Sequence, residues 1–103
     1  MSVSKILELY SRFGRSLVGS GLYEAALPVG ETSVVLELFA QNRWRVLGGD
    51  VYRIDDADCF EPTYDNWFCE DKNVEVSISV ARSFIANLTD RSVYIVFVIA
   101  DDK

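Results

Sequence analysis

The spacing of apolar residues along the chain predicts three helices. Apolar residues recur at helical intervals near the N-terminus and Gly14 follows them, which predicts a helix over about residues 3–13. A second stripe, with Glu31 near its start and Arg43 and Arg45 after it, predicts a helix over about residues 30–42. Residues 74–80 alternate as in a strand, but a helical stripe continues to residue 88. The longer pattern favours a helix over about residues 74–88.

The remaining apolar residues predict strands. Residues 93–100 are all apolar, mostly β-branched or aromatic, which indicates a central strand buried on both faces. Gly48 and Gly49 separate two short extended segments, where a glycine pair serves a tight turn, a bulge or a close backbone contact; a turn is the simplest interpretation. Residues 55–66 read as a loop or an irregular hairpin, since Pro62 disfavours a central strand.

The order of these elements predicts an α+β fold, a small antiparallel or mixed sheet with about three helices packed against it. With 103 residues and no linker or repeat, we expect one domain over residues 1–103. Neither a signal peptide nor a membrane-spanning segment is evident in the sequence, and we therefore expect a cytoplasmic protein.

Charge is unevenly distributed along the chain. The net charge is −6, yet residues 1–45 carry +1, and residues 50–75, with nine acidic and two basic residues, carry −7. This excess argues against binding to nucleic acid or to an anionic membrane, because both require cationic side chains. It permits steering toward a basic partner, although acidic loops also serve solubility alone.

Several kinds of chemistry are excluded or disfavoured. The chain has no histidine, which removes the usual base of nucleophilic catalysis and the commonest metal ligand. Cys59 and Cys69 match no zinc spacing, and we expect them to be reduced thiols. The acids at 55, 56 and 58 resemble part of a calcium loop but lack its glycine and its final glutamate. We therefore expect no metal and no cofactor; a carboxylate pair such as Asp50 and Asp65 remains open.

The segment T-Y-D-N-W-F, residues 63–68, combines aromatic and acidic side chains. In one interpretation Trp67 and Phe68 fill the core while Asp65 and Asn66 form a turn. In the other, some of these aromatic rings stay exposed and anchor a partner, since tyrosine and tryptophan are favoured at the centres of protein interfaces. Neighbouring acids would then complement a basic partner.

L-G-G-D-V-Y at residues 47–52, followed by T-Y-D-N-W-F, resembles the paired signature of the immunity protein 40 family. The resemblance extends over about residues 20–100 and is densest over 46–70. It implies a small α+β, cytoplasmic, non-enzymatic protein of a bacterial polymorphic toxin system, which binds and neutralises a cognate toxin. The matching positions are Gly48, Gly49, Asp50, Tyr52, Tyr64, Asp65, Asn66 and Trp67. A tryptophan–glutamate pair closer than Trp67 and Glu70 is absent here, which puts any role of such a pair in doubt.

The sequence therefore predicts a toxin-binding surface, and a toxin with a basic cleft, such as a nuclease, would complement it. The predicted contact residues are Asp50, Tyr52, Asp55, Asp56, Asp58, Tyr64, Asp65, Trp67 and Glu70. Two alternatives stay open, namely a non-catalytic protein–protein adaptor and a small enzyme that uses carboxylates. A deep pocket holding Asp50 or Asp65 beside a second acid would favour the enzyme.

Overall fold

The computed structural model describes residues 2–16, 25–55 and 59–101. Three helices and five strands follow one another as α1 (Ser2–Phe13), β1 (Arg15–Ser16), β2 (Ala25–Pro28), α2 (Thr32–Gln41), β3 (Trp44–Ile54), β4 (Phe60–Phe68), α3 (Val74–Ala86) and β5 (Tyr94–Asp101). The three predicted helices are confirmed. Within the described residues, no helix is both long and apolar enough to cross a membrane.

Local hydrogen bonds explain where the helices begin and end. α2 starts at Thr32 because the preceding residues, Val29–Glu31, form a 3-10 turn, and the buried Thr32 hydroxyl donates to the Val29 carbonyl at 2.7 Å. α2 stops before Arg43, whose φ of 61° cannot continue a helix. At the start of α3, the side chain of Asn73 accepts a hydrogen bond from the Val76 N–H at 3.0 Å.

The strands form an antiparallel sheet with four main strands in the order β2-β5-β3-β4, and β1 pairs with the outer side of β2. This confirms the predicted α+β class and the central position of β5. The prediction that β5 is buried on both faces holds only in part, because Val98 and Ile99 near its end are exposed.

The helices pack on one face of the sheet, where the main core lies. It contains buried residues of all three helices and of the inner strands: Ile6, Leu9, Leu27, Val29, Val35, Leu36, Leu38, Phe39, Val46, Val51, Val74, Ile78, Ala81, Ile85, Val93 and Ile95. The opposite face, called the open face here, has a smaller cluster in which Tyr52, Phe60 and Tyr94 surround Ala26 and Val96. Side chains alternate between these faces along each strand.

The predicted turn at Gly48 and Gly49 is wrong. β3 runs without a break from Trp44 to Ile54, and the irregularity is a register shift against β5 between Val46 and Gly48. The glycines are required for close contact with β4. A Cβ at Gly48 would lie 2.9 Å from Phe68 Cα, so a side chain there would push the two strands apart.

The interpretation in which Asp65 and Asn66 form a turn is also wrong, because both residues lie within β4. Of the loop or irregular hairpin predicted over residues 55–66, the structure shows the irregular hairpin, because β4 starts at Phe60 and pairs antiparallel with β3 with a shift in register. Pro62 is accommodated because β4 lies at the edge of the sheet, as the absence of a proline N–H requires.

Candidate protein-binding site

β4 is the edge strand that carries three of the nine predicted contact residues, Tyr64, Asp65 and Trp67. Its inner side pairs with β3, with Asn66 opposite Asp50, Trp67 opposite Gly49 and Phe68 opposite Gly48. Within the described residues no strand pairs with its outer side. The exposed residues along the second half of this strand and just after it are called the β4 edge: Tyr64, Asp65, Asn66, Phe68 and Glu70.

Tyr64 protrudes from β4 at an irregularity in the strand. The β3–β4 register shifts between Asp50 and Tyr52, so that β4 has two more residues than β3 over this stretch. Tyr64 adopts a φ of 69°, which is rare for a bulky residue, and its side chain is 84% exposed. The Thr63 hydroxyl fixes this geometry, since it donates to the Val51 carbonyl at 3.1 Å and accepts from the Asp65 N–H at 3.2 Å.

Trp67 points the other way, toward the helices. Its ring stacks on Phe84 of α3 at 4.7 Å and meets Phe97 of β5 edge-on at 6.0 Å. It also covers Gly49, where a Cβ would lie 2.6 Å from Trp67 Cζ3. The buried indole N–H makes no hydrogen bond within the described residues. Most of the Trp67 side chain is therefore used in packing β4 against the rest of the protein.

Phe68 is a candidate contact residue that the sequence prediction omitted. It is 76% exposed on the open face, and Val98 of β5, on the other side of Gly48, is 43% exposed. The signal was present in the sequence. Neighbouring residues in a strand face opposite sides, so Trp67 and Phe68 cannot both enter the core. Because Trp67 packs against the main core on the helical face, Phe68 lies on the open face.

Asp50 and Tyr52 lie on the open face, on β3 next to β4. Asp50 is partly buried between Val96 and Asn66 of the neighbouring strands. Tyr52 pairs with Tyr94, and its ring meets that of Phe60 edge-on at 6.3 Å. These two predicted residues therefore share the face on which Phe68 is exposed.

Among the described residues, the predicted acids near β4 are spread along the strand and do not form one cluster. Asp65 and Glu70 are exposed on the β4 edge, whereas Asp55 lies beyond the opposite end of the strand, where it bonds with the backbone of Cys59. Nine residues of strand span roughly 30 Å, so Asp55 and Glu70 are far apart. The predicted residues Asp56 and Asp58 lie outside the described residues.

A comparison with protein families assigns the chain. Residues 16–99 match the family model described as immunity protein 40. This chain belongs to the immunity protein 40 family. The match covers β3, β4 and every residue of the β4 edge, and the family name implies an immunity protein. Neither the curated proteins nor the solved structures gave a significant match.

The cavities on the described part of this immunity protein 40 chain include three open ones. They measure about 250, 330 and 250 Å³. The first is lined by aromatic residues around Tyr10, the second lies between α2 and α3, and the third between α1 and α2. Neither Asp50 nor Asp65 lines any of them, so the geometry that would favour a carboxylate enzyme is not found there.

The described part of this family member shows neither a metal-binding cluster nor a disulfide. No group of three or more cysteine, aspartate and glutamate side chains is arranged to hold a metal ion there. No disulfide joins Cys59 and Cys69. β4 offers two exposed aromatic residues, Tyr64 and Phe68, with exposed carboxylates beside them, which is an arrangement suited to contact with another protein.

Proposed function

We propose that this chain is an immunity protein that binds and neutralises a cognate toxin through the β4 edge and the adjoining open face. The observation that carries the proposal is Tyr64, a bulky residue held at positive φ with most of its ring in solvent. Such a conformation costs of the order of 1–3 kcal/mol, and strained residues of this kind concentrate at functional sites. Core packing gives no compensation here, because the residue as a whole is 84% exposed.

Two aromatic anchors and a row of acids define how the proposed surface works. Tyr64 and Phe68 would bury large apolar areas in a partner at little cost in side-chain entropy. Asp65 and Glu70 beside them, with Asp50 behind, would complement a basic surface and speed association. Asp55, beyond the other end of β4, would add to steering, and so would Asp56 and Asp58, which the sequence places next to it. Trp67 would act indirectly by holding β4 in place.

The partner that fits this surface is a basic toxin with a cationic cleft, such as a nuclease, acting in a bacterial cytoplasm. The chain itself would catalyse no reaction, and inhibition would follow from occupation of the toxin's surface. The family membership supports this function over a general adaptor, which would use the same surface with a partner that is not toxic.

The direct test is co-expression with the toxin encoded in the neighbouring reading frame. We expect growth to be rescued, and the purified proteins to form a complex at micromolar concentration or below. Absence of both rescue and complex would reject the proposed function. Binding to a partner whose expression alone is harmless would instead support the adaptor.

Alanine substitutions then locate the surface. We expect Tyr64→Ala and Phe68→Ala each to weaken binding by about 1–3 kcal/mol, measured by titration calorimetry. Leu7→Ala is the matched control, because Leu7 is 66% exposed but lies on α1, on the helical side of the sheet. Equal losses from all three variants would show that the contact is elsewhere.

A further inference from the structure

The backbone of β4 offers hydrogen-bonding groups to a partner as well as side chains. The Cys69 N–H donates to the Leu47 carbonyl of β3 at 2.7 Å. Backbone groups alternate in direction along a strand, so those of Trp67 and Cys69 face β3 and those of Asn66 and Phe68 face outward. Two N–H and two C=O groups therefore point away from the sheet over residues 65–69.

The two halves of β4 are protected differently against pairing with another strand. Edge strands are commonly blocked by proline, bulges or lysine. The first half has such blocks, since Pro62 lacks an N–H and the irregularity at Tyr64 bends the strand. Residues 66–69 have no proline and no lysine, residues 66–68 keep an unbroken register with β3, and the Cys69 N–H continues the hydrogen bonding. An unblocked edge of this kind is a template for strand addition.

We propose that the partner binds this segment as an added β-strand, in which an extended basic segment of the toxin pairs with residues 65–69. This inference rests on the proposed function and specifies how the same surface is recognised. The backbone groups of Asn66 and Phe68 supply the pairing. The exposed Phe68 side chain packs against the partner strand on the open face.

The acidic side chains beside the pairing segment favour a basic strand of the toxin over a second copy of this chain. Asp65, Glu70 and Asp71 are exposed along or just beyond the pairing segment. Along the sequence, the nearest basic residue to this segment is Lys72. A second copy of this chain would bring two such acidic edges together, which disfavours self-pairing. A strand carrying lysine or arginine would instead place opposite charges beside these acids.

The test compares two substitutions at Asn66 in binding to the purified toxin domain encoded beside this chain's gene. Asn66→Ala and Asn66→Pro both remove the side-chain amide, but only proline removes the outward N–H. Proline is tolerated on an edge strand when its position faces outward, and circular dichroism with urea denaturation checks that both variants fold. We expect Asn66→Pro to bind at least about tenfold more weakly than Asn66→Ala, because the two variants share the loss of the side-chain amide and differ in the outward N–H.

Hydrogen exchange on the unsubstituted chain provides a second measurement that needs no variant. We expect the amides of Asn66 and Phe68 to exchange at least about tenfold more slowly in the complex than in the isolated chain. A complex in which both amides exchange unchanged and the two variants bind equally would overturn strand addition and leave the proposed function intact. Absence of any complex would reject both. Dimerisation of the chain alone that Asn66→Pro abolishes would assign the edge to a second copy and overturn the inference.

Discussion

At the scale of single residues, the contact between Gly49 and Trp67 determines how β4 is held. The two residues are directly opposite each other on β3 and β4, and the indole ring lies in the space that a side chain at position 49 would fill. Aromatic residues compensate in this way for the missing side chain of a strand glycine. The packing of β4 against β3 therefore depends on one small residue and one large one.

Replacing Gly49 with alanine should be strongly destabilising. The new Cβ would lie 2.6 Å from Trp67 Cζ3 and 2.8 Å from the Val96 carbonyl oxygen, and the latter is backbone that cannot easily move. We expect Gly49→Ala to lower the free energy of unfolding by about 3 kcal/mol in urea denaturation. Gly30→Ala is the control, because nothing lies within 4 Å of its Cβ position. A loss below about 0.5 kcal/mol for Gly49→Ala would show that the strands separate freely.

Tyr10 predicts a dependence of stability on alkaline pH. Burial against the core raises the pKa of its phenol to about 12, from 10.0. The folded protein therefore keeps this proton at a pH where the unfolded chain has lost it. The contribution to stability is complete below pH 10 and declines as the pH rises from about 10 to 12.

The measurement is the free energy of unfolding of the original chain and of Tyr10→Phe at pH 9 and pH 11.5. Two pKa units correspond to about 2–3 kcal/mol, so the original chain should lose of the order of 2 kcal/mol more than the variant over this range. Parallel curves for the two proteins would show that the phenolate is solvated in the folded state. Phenylalanine keeps the ring, which separates the titration from packing.

At the scale of elements, α3 and β3 are joined by a buried hydrogen bond near the register shift. The Val46 N–H donates to Ser77 Oγ at 3.0 Å, and the Ser77 hydroxyl donates to the Val74 carbonyl at 2.8 Å. Ser77 is completely buried. The irregularity between Val46 and Gly48 interrupts the ladder with β5, and the serine supplies the acceptor that the Val46 N–H needs.

Ser77→Ala should therefore cost more than the loss of an average hydrogen bond. It leaves the Val46 N–H buried without an acceptor, and we expect a decrease of about 1–3 kcal/mol in the free energy of unfolding. Hydrogen exchange should accelerate at the Val46 amide in particular. Ser79→Ala, on the exposed side of α3, is the control and should change stability by less than about 0.5 kcal/mol. If the two variants are equally stable, a rearrangement has supplied another acceptor.

The same elements show how far the sequence predicts the structure. Helices follow from a periodicity that continues over several turns, so α1, α2 and α3 were predicted within about two residues at each end. β3 was not predicted as one strand, because glycine pairs are typical of turns and its close approach to β4 is a tertiary effect. The positive φ of Tyr64 could not be predicted from the sequence either, since it arises where β4 has more residues than the paired segment of β3.

The candidate site was predictable only in outline. The composition of residues 63–70 indicated an aromatic and acidic segment, but which rings face outward depends on the alternation within β4. That alternation buries Trp67 and exposes Phe68. The acids that were grouped by sequence, Asp55 and Glu70, are separated by the length of the strand.

At the scale of the whole molecule, position matters more than total charge for the proposed association. The exposed acids Asp65 and Glu70 lie on the β4 edge, whereas Glu8 and Glu37 are exposed on α1 and α2, on the helical side of the sheet. A partner that approaches β4 senses the first pair closely and the second pair weakly, because charges beyond about 10 Å are screened at 0.1 M salt.

This difference allows a test in which net charge is held constant. Asp65→Lys with Glu70→Lys, and Glu8→Lys with Glu37→Lys, each change the net charge from −6 to −2, since every reversal adds two units. For the edge pair we expect association with the toxin domain to slow by about tenfold, with a weaker dependence on salt, in stopped-flow measurements. The helical pair, which loses a solvent-exposed contact of Glu37 with Arg82 at 3.6 Å, should change the rate by less than about twofold. Equal slowing in both variants would mean that overall charge drives association, and the acids of β4 would then have no special role in recognition.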